Sequence, residues 1–274
     1  MSATLDLDRY FSRIGYHGPR AATLEVLREI HALHPLAIPF ENLAALTGRR
    51  VALDLPSVVE KLIEGGRGGY CFEQNRLFAH ALMQLGFNVT PMLARVLWGQ
   101  APDAIMPLTH MMLRVDIDDE AWIADVGFGG VTLTEPLRLQ TGTPQQTRLE
   151  AFRLADASRG AFDLEVQSGD VWTKVYRFEL ARAEWVDYEV ANWFTSAEPD
   201  SLFVNHLLAC RVLPEGRLAL FDTAMTRRGS RGELVAEWQL ENADALSACL
   251  REEFGLTLDG IDMDAVFSRV ANTR

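Results

Sequence analysis

Apolar residues change their period once along this chain, near residue 87, and that switch restricts the fold. Upstream, Leu24, Leu27, Ile30 and His31 lie on one helical stripe that ends before His34-Pro35. Leu55-Pro56-Ser57 opens a second helix, with proline where a missing N–H is harmless, and Gly65-Gly66 closes it. A third helix runs from about Cys71 to Leu85 and stops at Gly86. From Phe87 to about Asn192 the pattern becomes β. The strands expected are Asn88–Trp98, Leu108–Ile117, Trp122–Phe128, Thr147–Leu154, Phe162–Gln167 and Val171–Phe178, with Gly99–Pro107 and Gly129–Pro144 as loops. Ser168-Gly169-Asp170 is a hairpin turn. The last part, 201–274, reads as a small α/β unit. It has strands at Leu218–Thr223 and Glu233–Gln239, then a helix from an Asn242 cap to Phe254. Helices, then strands, then a mixed unit describe an α+β protein rather than a doubly wound sheet.

Composition removes several classes of function. With 48% hydrophobic and 23% charged residues in a chain of 274, the profile is that of a globular protein. The longest uncharged stretch, Leu77 to Ala94, is broken by His80, Gln84, Gly86, Asn88 and Pro91, so it is not a membrane span. The first twenty residues lack the apolar core of a secretion signal, and three cysteines (Cys71, Cys210, Cys249) form no paired framework. Both observations favour a reducing cytoplasm. A net charge of −12 argues against non-specific binding to nucleic acid or anionic membrane.

The segment Arg67-Gly68-Gly69-Tyr70-Cys71-Phe72-Glu73-Gln74-Asn75 places a cysteine in the first turn of a helix, after two glycines that permit a tight turn. Unsatisfied N–H groups and the positive end of the helix dipole both favour a thiolate there, and a thiolate is a nucleophile. Two readings of Cys71 stand on this pattern, nucleophile or buried small hydrophobe. Cys210 and Cys249 lie in apolar runs and read as core.

A reactive cysteine needs a base. His80 lies nine residues on, close to the opposite side of the same helix at about 100° per residue. His31 and His34 have no HExxH pattern or third ligand, so no metal is expected. His17 and His206 have no supporting context. In Leu108–Asp116, Met111, Leu113 and Val115 form one apolar face, so His110 points to the other, either toward a cleft or to solvent at an edge. Asp125 is an acid inside an otherwise apolar strand, expensive to bury unless paired. It could steady a histidine or accept N–H groups from the glycine turn that follows. A turn near residue 119 would leave Asp125 three residues out of register with His110, roughly 10 Å away, so contact requires an earlier turn or a bulge.

The segments RGGYCFEQN, THMML and ADVGFGG, in this order and spacing, with IPFEN (Ile38 to Asn42) ahead of them, strongly resemble the arylamine N-acetyltransferases over the whole chain. The resemblance implies a helical bundle at 1–86 carrying the nucleophile. A β-barrel at 87–200 carries the histidine and the acid, and an α/β lid spans 201–274, around a cysteine-protease-like catalytic core. It implies that Cys71, His110 and Asp125 form a triad. It implies a ping-pong transfer of acetyl from acetyl-CoA, through an acetyl-cysteine, to arylamines, arylhydrazines or N-hydroxyarylamines. No tightly bound cofactor and no metal is implied.

By the same resemblance, Trp98, Thr109, Phe128, Gly129, Gly130 and Thr132 are expected to meet CoA. Phe40, Tyr70, Phe128 and Phe203 are expected to line the acceptor pocket, with ordinary core packing as the other reading of each. Arg67 is expected to brace the site. Arg227, Arg228 and Arg231 would meet the adenosine phosphates or form a solvated hairpin tip. The expected partners are acetyl-CoA and a small aromatic amine or hydrazine, with self-association left open. The competing functions are a papain- or transglutaminase-like cysteine hydrolase, which would work without CoA, and a non-catalytic binder of aromatic ligands. An ion pair between Cys71 and His110 would make the two titrate as one unit.

Overall fold

The computed structural model describes residues 4–101 and 104–271, so Pro102 and Asp103 of the Gly99–Pro107 connection lie outside the described residues. The first third is helical. Helix α1 (Leu7–Ile14) is capped by the Asp6 carboxylate, and α2 (Leu24–Ala37) by the Thr23 hydroxyl. The two-residue strand β1 (Phe40–Glu41) and the short α3 (Leu43–Leu46) follow. Helix α4 (Leu55–Val59), capped by Asp54, continues into a π-helical turn at Glu60–Glu64. Helix α5 (Cys71–Gln84) closes this part. Helix α2 does not stop at His34-Pro35 as its sequence suggests. The proline lies in the last turn, where His34 and Pro35 are buried and the Ile38 N–H bonds the His34 carbonyl at 2.8 Å.

The strands β2 (Asn88–Val96), β3 (Leu108–Ile117), β4 (Glu120–Ala124), β5 (Leu137–Arg138), β6 (Gln145–Gln146), β7 (Ala151–Asp156), β8 (Phe162–Ser168) and β9 (Val171–Phe178) form one sheet. Its order is β5-β4-β3-β2-β9-β8-β7-β6, and it curls into a nearly closed barrel. Residues such as Met92, Met112, Ile123, Phe152, Leu164 and Val175 fill the inside. The opposite faces of β2 and β3, with Val89, Met111, Leu113 and Val115, pack on the helical part. Strand β3 is therefore covered on both faces, and the side of His110 that had pointed to a cleft or solvent is the barrel interior.

The β region expected to reach about Asn192 ends earlier, because the segment after β9 forms α6 (Trp185–Ala197). Asp187 accepts the Glu184 N–H at 2.8 Å in a capping arrangement, and Tyr188, Ala191, Asn192 and Thr195 bury one helical stripe. A short α7 (Leu202–Asn205) leads into β10 (Leu208–Leu213), β11 (Gly216–Phe221), β12 (Ala224–Gly229) and β13 (Leu234–Gln239). Two of these four strands, β10 and β12, were not anticipated. Arg227 and Arg228 consequently lie on a strand, and only Arg231 lies in the turn. Helices α8 (Ala243–Glu252) and α9 (Met263–Ala271) pack over this sheet, and α9 also had no sequence signal in the reading above.

The second sheet has the order β1-β10-β11-β12-β13, with Phe40 opposite Cys210 and Glu41 opposite Ala209. The first third of the chain thus donates an edge strand to the last. No helix among the described residues is long and apolar enough to cross a membrane.

Candidate active site

Cys71 is the first residue of α5, and its side chain is buried. Neither Gly68 nor Gly69 is left-handed. They are required by close approach instead. A Cβ on Gly68 would lie 2.2 Å from the Pro39 carbonyl oxygen, and one on Gly69 would lie 2.7 Å from the Glu73 carboxylate. That carboxylate accepts the Tyr70 N–H at 3.1 Å and pairs with Lys61 at 2.6 Å. The fully buried Glu41 takes Arg67 at 2.7 Å, so Arg67 braces the turn. On its other side, Gln74 donates to the carbonyls of Pro39 (2.9 Å) and Gly69 (3.1 Å), while its oxygen faces His34 Nε2 at 2.7 Å. His34 Nδ1 lies 2.9 Å from the Tyr10 hydroxyl. Burial is the main reason His34 is pushed down to about 4, and it stays neutral.

Strand β3 carries His110 toward this helix terminus. Its Nε2 lies 2.7 Å from Asp125 Oδ2, and the Cys71 side chain is close enough to favour the charged form of the ring. Cys71 Sγ also sits 3.8 Å from the Thr109 carbonyl oxygen. The register between β3 and β4 pairs Leu113 with Ala124, so an unbroken ladder would set His110 opposite Gly127. Contact with Asp125 comes neither from a bulge nor from a much earlier turn. Strand β4 ends at Ala124, and the backbone peels away.

The released N–H groups are each recaptured. Asp125 N–H donates to His31 Nε2 at 3.1 Å, Val126 N–H to Asn75 Oδ1 at 3.1 Å, and Gly127 N–H to Asp125 Oδ1 at 2.9 Å. Asn75 Nδ2 donates to Asp125 Oδ1 at 2.8 Å and to the Met111 carbonyl at 2.7 Å. Asn75 follows Cys71 by one helical turn on the same face, and this i, i+4 spacing is the sequence signal that could have found it. His31 carried no such signal.

Burial alone disfavours a charged ring at 110. The Asp125 charge and hydrogen bond, helped by Cys71, outweigh it and push His110 up to about 10. Asp125 is also penalised by burial, but His110, Asn75 and the Gly127 N–H hold its carboxyl below the usual carboxylate range. His31 goes the other way, down to about 3 because it is buried, so it remains a neutral acceptor for the Asp125 N–H. Burial and the Asp125 charge hold the Tyr176 phenol well above its ordinary value, and its ring lies 4.9 Å from His110.

Phe128 meets His110 edge-on at 5.1 Å, while Phe40 and Tyr70 both meet Phe203 edge-on, at 5.8 and 5.5 Å. Tyr70 is fully buried, with its hydroxyl on Asn192, and supports Phe203 from behind. Gly129 is left-handed (φ 92°), and a Cβ there would meet the Phe40 ring at 3.3 Å. Thr132 is buried. Its hydroxyl accepts the Phe128 N–H at 3.1 Å and donates to the Asp125 carbonyl at 3.3 Å. Arg217 from β11 donates to the Thr132 carbonyl at 2.8 Å and forms a buried pair with Glu150, tying the second sheet to this loop. Trp98 is 44% exposed just beyond β2, and Thr109 is half-buried on β3.

A family model described as N-acetyltransferase matches residues 23–263. The chain belongs to the arylamine N-acetyltransferase family. It is accordingly an enzyme, an acyltransferase. It is 41% identical to the arylamine N-acetyltransferase of Escherichia coli K12, over 92% of this chain and 89% of that protein. It is 40% identical to the arylamine N-acetyltransferase / N-hydroxyarylamine O-acetyltransferase of Salmonella typhimurium, over 93% and 90%. The structure of Mycobacterium marinum arylamine N-acetyltransferase in complex with CoA superposes with a TM-score of 0.92 at 37% identity, covering 97% of this chain and 99% of that one.

Proposed function

We propose that this enzyme transfers an acetyl group from acetyl-CoA to aromatic amines, hydrazines or N-hydroxyarylamines in two half-reactions that share Cys71. The observation that carries this reading is the Cys71–His110–Asp125 line, with 2.7 Å between His110 Nε2 and Asp125 Oδ2. Asp125 holds the ring so that its other nitrogen faces sulfur, and stabilises the imidazolium that accompanies a thiolate.

In the first half-reaction the Cys71 thiolate adds to the thioester carbonyl. The bond to the CoA sulfur breaks, CoA takes the proton from His110, and acetyl-Cys71 remains. In the second, the acceptor nitrogen adds to that carbonyl as His110 takes its proton. The bond to Cys71 then breaks and restores the thiolate–imidazolium pair. The first-turn N–H of Cys71 has no intrahelical partner and is one donor for the tetrahedral oxyanion.

The Val126 N–H is taken by Asn75 and those of Gly127, Phe128 and Thr132 within the loop, which leaves Gly129, Gly130 and Val131 to meet the CoA pyrophosphate. Trp98 and Thr109 are the further residues assigned to CoA in this reading. Phe40, Phe128 and Phe203, backed by Tyr70, present ring surfaces for the acceptor. In this reading residues 1–86 carry the nucleophile, 87–200 the base and acid, and 201–274 close the acceptor side.

Incubation with acetyl-CoA alone should place one acetyl group on the peptide containing Cys71, and an added arylamine should remove it. Acetylation of arylamines by a Cys71→Ala protein would end this reading. Amide cleavage without CoA would favour a hydrolase.

A further inference from the structure

The segment running from Phe203 to Leu208 is held by one side chain from the opposite end of the sequence. Asn42, 1% exposed, donates its amide hydrogens to the carbonyls of Phe203 (2.8 Å) and His206 (2.7 Å) and accepts the Leu208 N–H at 2.8 Å. All three backbone groups precede or open β10, and the amide is the side-chain group that supplies two donors and an acceptor together. A second clamp acts from the β11–β12 turn. Asp222, held at φ 54°, accepts the Leu207 N–H at 2.9 Å and lies 2.7 Å from His206 Nδ1. Within this frame the Phe203 ring stands edge-on to Phe40 and Tyr70.

We propose that Asn42 is a positioning residue that determines acceptor specificity, by fixing Phe203 as a wall of the aromatic acceptor pocket. The proposal rests on the reading above in which Phe203 faces the acceptor. Asn42 acts through the backbone of residues 203–208, and these hydrogen bonds reach neither Cys71 nor the loop at 125–132, so its influence falls on ring-bearing acceptors in the second half-reaction. A small acceptor without a ring, such as hydrazine itself, does not need that wall.

The test compares Asn42→Asp with the parent enzyme. The carboxylate keeps the shape and the Leu208 contact but replaces both donors with charge facing two carbonyls. Three rates are read: acetylation of Cys71 by acetyl-CoA alone, kcat/KM for an arylamine, and kcat/KM for hydrazine. The expected result is an arylamine kcat/KM lower by on the order of tenfold, chiefly through KM, with the other two rates within about twofold. In a Phe203→Ala background the same change should leave the arylamine-to-hydrazine ratio unaltered, because the wall is already gone.

Asp222→Asn, which loosens the second clamp, should shift the ratio in the same direction and serves if Asn42→Asp does not fold. Equal losses with both acceptors and in Cys71 acetylation would overturn the proposal, as would a ratio change that survives in Phe203→Ala. If the parent enzyme itself fails to acetylate Cys71, it is the two-step reading that has failed.

Discussion

Replacing Asp125 with asparagine changes one atom and, by the geometry of the site, reverses the His110 tautomer. Asp125 Oδ1 accepts from two donors, Asn75 Nδ2 at 2.8 Å and the Gly127 N–H at 2.9 Å, so the variant must keep its oxygen there. Its NH2 is then forced toward His110 Nε2, which sits 2.7 Å from the native Oδ2. The ring proton moves to Nδ1, facing sulfur, where it blocks uptake of the thiol proton.

The magnitude follows from the electrostatics. His110 is raised from 6.5 to about 10, which corresponds to on the order of 5 kcal/mol in favour of imidazolium. Without the carboxylate, burial dominates and the ring is neutral at pH 7. Activity should fall on the order of 10³ to 10⁴-fold in kcat. The assay is the rate of iodoacetamide alkylation of Cys71 at pH 7, with the His110 titration followed by NMR. Parent enzyme should alkylate about tenfold or more faster than Asp125→Asn, because the imidazolium that accompanies a thiolate is lost in the variant. A variant that alkylates at the parent rate, or retains a tenth of parental kcat, would refute the reasoning.

Three further outcomes follow from the same structure. Asn75→Ala removes three buried hydrogen bonds around Asp125, so it should cost about 3 kcal/mol in urea unfolding and slow turnover as the Asp125 carboxyl loses a stabilising donor. Gly127→Ala puts a Cβ 2.9 Å from Cys71 Cα and 3.0 Å from the Asn75 amide, so about 1–3 kcal/mol of stability and most of the activity should go together. His31 and His34 stay neutral when folded, at about 3 and about 4, while their free forms titrate near 6.5. The unfolded chain binds protons first, so stability falls as pH drops from about 6.5 toward 4 and then 3. In His34→Gln the loss of stability between pH 7 and pH 4 should shrink by about 3 kcal/mol, read from urea midpoints.

Cys71, His110 and Asp125, which the proposed function takes as nucleophile, base and acid, stood out as candidates because each breaks a local rule. Cys71 opens a helix between glycines and polar residues, and His110 and Asp125 interrupt apolar strands. How they meet was not legible, because the contact depends on where β4 ends, and that is decided by His31 and Asn75 capturing N–H groups from elsewhere in the fold. Strands β2, β3, β8 and β9 had clear alternation or turns. Helix α6 did not, since its aromatic and β-branched residues favour strand locally, and its cap and its burial against α5 and β3 make it helical. Strand β1 is two residues long and exists because β10 pairs with it, a long-range fact without local trace. The same holds for Asn42, whose three partners lie more than 160 residues away.

The thiolate absorbance of Cys71 at pH 7, taken as the difference between parent enzyme and Cys71→Ser, tests the ion pair without substrate or alkylating agent. A signal in the parent enzyme that is diminished in Asp125→Asn is the predicted result. A signal absent from the parent enzyme, or indifferent to Asp125, would contradict the account.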